Sequence, residues 1–130
     1  MSEFLFVYGT LARNAGHQMH QHLARNAESA GACYFNGLLY RVAHYPGAVP
    51  SSNPDDKVFG ELYRLMQAHE VFARLDDYEG CGPNDPQPTE FVRRLKTVYR
   101  ADGTRAQAWI YLFNRAVTGL PRITSGRFIG

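Results

Sequence analysis

The chain has 130 residues, 45% of them hydrophobic and 20% charged, which suits one compact unit with its own core and excludes wholesale disorder. A net charge of +2, from 14 basic and 12 acidic residues, leaves no electrostatic footprint for nucleic acid or an anionic membrane. Two cysteines, Cys33 and Cys81, are too few for a disulfide framework and lack metal-ligand spacing.

The N-terminal run Phe4-Leu5-Phe6-Val7-Tyr8 is apolar throughout and stops at Gly9. It reads as a strand buried on both faces. It is too short for a signal sequence and follows Glu3 rather than a basic stretch, and no segment approaches the ~18 apolar residues that span a bilayer. The expected location is the cytoplasm. Gly9-Thr10-Leu11 forms a loop, and Met19, His22 and Leu23 predict a short helix over 17–25.

Tyr34 to Val42 and Val58 to Leu65 are strand-like, and the phrase Gly-x-Leu-Tyr-Arg occurs in both, at Gly37 and at Gly60. That fits two neighbouring strands of a small barrel, each bending at a glycine. The segment between them, 45–56, is rich in Pro, Ser, Asn and Asp and reads as a loop. Gln67 to Glu79 is the clearest helix, with Val71, Phe72, Leu75 and Tyr78 on one stripe and Gly80 to end it. A Pro- and Gly-rich loop follows, 80–88. Two long strands close the chain, Glu90 to Arg100 and Arg105 to Phe113, joined by a turn with the Asp102-Gly103 signature. The second is apolar on both faces and must be covered on both sides. The tail from Asn114 is expected to be irregular. The expected architecture is a single α+β domain over 1–130: a small, mostly antiparallel β-barrel of five to seven strands with two flanking helices.

Chemistry concentrates at two places. At about 100° per residue, Glu79 falls ~80° from Val71, inside the apolar stripe, while Asp76 lies at its edge and Asp77 faces away. A carboxylate aimed at the core has its pKa raised by desolvation and by the negative end of the helix. Such a group suits general acid/base work near pH 7. The same position also allows a carboxylate in a fraying last turn that reaches water or pairs with an arginine. The second place is Tyr8-Gly9-Thr10-Leu11. A strand that ends in Gly can turn and let a ligand approach its backbone N–H groups, or can simply turn. The segment is neither a P-loop nor a dinucleotide fingerprint.

Other candidates are weaker. His17, His20 and His22 could hold zinc, though no Cys, Asp or Glu ligand stands with them. Glu61 could be a second acid in the cavity, or pair with Arg64 or with an arginine of a neighbouring strand. Cys81 reads as a small buried thiol. Tyr34, Phe35, Tyr63, Trp109 and Tyr111 could stack bases, but no basic groove accompanies them.

Taken together, Val7-Tyr8-Gly9-Thr10-Leu11, Leu75-Asp76-Asp77-Tyr78-Glu79-Gly80, the two Gly-x-Leu-Tyr strands, Tyr45-Pro46 and Ser125-Gly126 resemble the gamma-glutamylcyclotransferase-like superfamily. The resemblance spans nearly the whole chain in order. It implies a barrel with a cavity in which the backbone of Tyr8, Gly9, Thr10 and Leu11 holds the α-carboxylate end of a gamma-glutamyl group. Glu79 matches the acid/base. The implied reaction releases 5-oxoproline and a free amine or amino acid, with no metal or cofactor required and a small molecule as the partner. The doubly apolar last strand is compatible with a monomer or a homodimer. Two departures stand out. Phe91 occupies the place where many relatives carry an aromatic hydroxyl, and Ser125-Gly126-Arg127-Phe128 replaces a Ser-Gly-Asp-Trp phrase. The first motivates an alternative, a binding module that holds a small acidic metabolite on the same barrel without turning it over.

Overall fold

A computed structural model describes residues 3–8, 27–43, 45–78 and 89–128, with only the backbone of residues 77 and 78. Strand β1 is Phe4–Val7, β2 Ala27–Arg41, β3 Pro46–Pro50 and β4 Lys57–Leu65; helix α1 is Ala68–Tyr78; β5 is Phe91–Arg100 and β6 Arg105–Phe113. The strands are ordered β3-β2-β4-β1-β6-β5, and β5 pairs back onto β2. Five strands therefore close into a barrel, and β3 hangs on its rim beside β2. Among the described residues only the β1–β6 pairing is parallel; β4 runs antiparallel to β1 and to β2, β5 to β6 and to β2, and β3 to β2.

Strand alternation divides the core in two. Phe6, Leu62, Val98, Ala108, Ile110 and Leu112 point into the barrel with Tyr8, Cys33 and Phe35. Leu5, Val7, Tyr63, Tyr111 and Phe113 point outward and are covered by Val71, Phe72 and Leu75 of α1. The doubly apolar β6 thus has both of its faces covered, as its sequence demands. Leu75 is fully buried, a burial worth roughly 1.5–3 kcal/mol. Gln67 precedes the helix in the left-handed region, at φ 55°, so the helix starts one residue later than the apolar stripe suggests.

The segment 45–56 is not wholly a loop. Pro46–Pro50 forms β3 and pairs with β2, Leu38 opposite Val49 and Tyr40 opposite Gly47. A proline at each end and a glycine beside the first hide a strand in the sequence, yet they are tolerated on a rim. β2 also begins earlier than expected, at Ala27, with its register against β4 shifting between Ser29 and Ala32. Gly31 sits inside that shift at φ 97°, a conformation that glycine adopts without penalty. The Gly-x-Leu-Tyr strands β2 and β4 are neighbours, as expected. A Cβ on Gly60 would lie 2.2 Å from the Val7 carbonyl oxygen, so close approach of β1 dictates glycine there. The tail is mostly irregular but is tied to the sheet by a bridge between Tyr40 and Arg122. Its Ser125-Gly126 turn seats on β4: the Phe59 N–H donates to the Gly126 carbonyl at 2.8 Å. The expected helix over 17–25, its three histidines and the 80–88 loop with Cys81 lie outside the described residues. Among the described residues, no helix is long and apolar enough to cross a membrane.

Candidate functional site

Parallel pairing places the C-terminal ends of β1 and β6 at one end of the barrel, with Leu5 opposite Trp109. β5 starts at that same end, Phe91 opposite Phe113. The side chains at this end form a connected polar set. Tyr8, 8% exposed, donates its hydroxyl to the Tyr111 carbonyl and accepts from the Ala48 N–H at 3.1 Å. It thereby ties the end of β1 to β6 and to the rim strand β3. The Tyr111 hydroxyl donates to Asp76 Oδ1 at 2.6 Å. Arg93 reaches the same carboxylate with two donors, Nε to Oδ1 at 2.8 Å and Nη2 to Oδ2 at 3.2 Å. Tyr111 therefore joins the strand that leads into Gly9 to the helix turn that leads into Glu79.

A second group holds the start of β5. The Asn114 N–H donates to the Glu90 carbonyl at 2.7 Å, and its side-chain amide donates to the Thr89 carbonyl at 3.1 Å. The Tyr45 hydroxyl donates to Glu90 Oε2 at 2.6 Å. Phe91 is buried, its ring 6.0 Å from that of Tyr45 and 5.7 Å from that of Phe113. Phe91 thus packs among aromatic rings beside a tyrosine hydroxyl already engaged with Glu90.

Of the residues expected at the site, Tyr8 is described, and its side chain anchors the strand end. Gly9, Thr10, Leu11 and Glu79 lie outside the described residues. Glu61 stands opposite Val7 and accepts from the Tyr63 hydroxyl at 3.3 Å. Arg64 does not pair with it: three residues along a strand is the opposite face, and Arg64 meets Glu3 at 3.2 Å. Burial pushes the Cys33 thiol up to about 12, against a lowering by nearby Arg100, so it is a neutral packing group and no nucleophile. Sequence reasoning gave no role to Arg93, and gave Asp76 only a place at the stripe's edge. The cross-strand pair Arg93–Tyr111 that creates the cluster depends on a register the sequence does not display.

The model of the family "Gamma-glutamyl cyclotransferase, AIG2-like" matches residues 5–129. The chain belongs to this gamma-glutamyl cyclotransferase family. It is 35% identical over 127 residues to the gamma-glutamylcyclotransferase family protein YtfP of Escherichia coli K12, covering 96% of this chain and 95% of that one. The solution structure of the Escherichia coli ytfP protein matches with a TM-score of 0.65 and 34% identity, over 97% of this chain and 96% of that one. The crystal structure of YkqA from Bacillus subtilis matches with a TM-score of 0.72 at 22% identity. That match covers 98% of this chain and 40% of the Bacillus protein, so this chain aligns to less than half of that longer one.

Proposed function

We propose that the chain is a gamma-glutamyl cyclotransferase acting as one domain in the cytoplasm, releasing 5-oxoproline and a free amine or amino acid, with Glu79 as its acid/base. The α-amine nitrogen of the substrate attacks its own γ-carbonyl carbon, forming the ring C–N bond. Glu79 takes the proton that this nitrogen loses and returns it to the departing nitrogen as the original amide bond breaks. Backbone N–H groups of the Tyr8-Gly9-Thr10-Leu11 segment hold the substrate α-carboxylate. One carboxylate suffices for the proton shuttle, which is worth ~10²–10⁴ in rate. Folding the substrate onto itself supplies the remaining orientation term.

The observation that carries this reading is the Tyr111 link. Its carbonyl accepts from Tyr8 and its hydroxyl donates to Asp76, so the flanks of both sequence motifs meet on one residue. Family membership supports the reaction class. The test is 5-oxoproline release from a panel of gamma-glutamyl amines and gamma-glutamyl amino acids. Release from at least one member is expected, and the preferred member names the leaving group. A panel without release, joined to a thermal shift with 5-oxoproline, would instead favour the non-catalytic binding module that the buried Phe91 ring suggests.

A further inference from the structure

Helix α1 carries no basic residue in its last turn. That turn holds Asp76 and Asp77, and Glu79 follows one residue after the helix. The Asp76 carboxylate therefore stands in the turn that carries the negative end of the helix dipole. The cation that meets Asp76 comes from β5. Arg93 grips Asp76 with the two-donor fork described above, geometry that a guanidinium matches and an ammonium does not. Its guanidinium carbon lies 4.3 Å from the Phe72 ring centre and 4.6 Å from that of Trp109, so two rings and a carboxylate hold it. The Tyr111 hydroxyl closes the set on the same Asp76 oxygen. Arg93 and Asp76 are only about a quarter exposed, unlike the loose surface pairs that contribute little. Glu79 lies three residues beyond Asp76 in the chain.

We propose that Arg93 is a positioning residue for the reaction: by clamping Asp76 it fixes the last turn of α1, from which the chain reaches Glu79. This inference rests on the reading of Glu79 as acid/base. Arg93 acts through Asp76, and its loss lowers turnover rather than substrate affinity.

The test measures kcat, KM and thermal stability for wild type, Arg93→Met, Asp76→Asn, the double variant and Val98→Ala, a cavity variant inside the barrel. Each kcat is taken well below that variant's melting temperature. The expected result is a drop of tenfold or more in kcat for each single variant, with KM within twofold of wild type. The double variant falls no further than the worse single, since both act through one ion pair, and Val98→Ala keeps wild-type kcat. Unchanged kcat in both single variants overturns the inference while leaving the Glu79 reading intact. So does a raised KM at constant kcat, which makes Arg93 a substrate ligand, and so does an equal kcat loss in Val98→Ala, which makes the effect one of stability. No release by the wild type overturns the Glu79 reading and this inference with it. Should Arg93→Met fail to fold, Asp76→Asn, nearly isosteric, decides the same question.

Discussion

Tyr8 shows how a side chain next to a proposed binding loop can serve the fold. Its ring lies in the barrel interior, and its hydroxyl joins a carbonyl of β6 to an N–H of β3. Removing the hydroxyl leaves two buried backbone groups without that partner, at about 2 kcal/mol. Tyr8→Phe should lose that much in urea denaturation; a loss below ~0.5 kcal/mol would contradict the anchoring role. Cys33 gives a pH prediction. The thiol ionises near 9.0 in the unfolded chain but holds its proton to about 12 in the fold. Between these values the unfolded chain binds fewer protons, so stability is intact below the first and declines toward the second. Cys33→Ala should flatten that alkaline decline in denaturation measured from neutral pH upward. Equal alkaline slopes for the two proteins would show that Cys33 is not its source.

Strand pairing explains which elements could be read from the chain and which could not. β1 and β6 announce themselves because both are apolar runs, and the β5–β6 turn does so through Asp102-Gly103, with Gly103 at φ 86°. α1 follows from its stripe to within a residue at its start. β3 is hidden by its prolines, and the first half of β2 by its run of Ala, Ser and Gly, residues that favour strands little. Both are strands because their neighbours' open edges pair with them. The candidate site divides along the same line. Gly9, Thr10, Leu11 and Glu79 are legible as motifs in sequence order. The polar set of Tyr111, Asp76 and Arg93 exists only through register and helix docking, which no local pattern encodes. Gly60 is legible as a repeat but not in its cause, the approach of Val7. Gly60→Ala would force β4 away from β1, at about 3 kcal/mol. A denaturation midpoint unchanged from wild type would show that the strands can part there without cost.

The parallel β1–β6 and antiparallel β5–β6 pairings bring the ends of β1 and β6 and the start of β5 to one end of the barrel, where Asp76 ties in the last turn of α1. An intramolecular cyclisation needs little beyond that: a cradle for one end of the substrate, a shape that bends it, and one group to move a proton. The central claim is that Glu79 is that group. The most direct measurement is the parallel release of 5-oxoproline and free amine by wild type and Glu79→Gln, on the preferred substrate, with binding of that substrate measured on both proteins. The account predicts equal amounts of the two products from the wild type, a rate at least ~10²-fold lower in Glu79→Gln, and binding retained by the variant. Equal rates in the two proteins would contradict it and remove Glu79 from the chemistry.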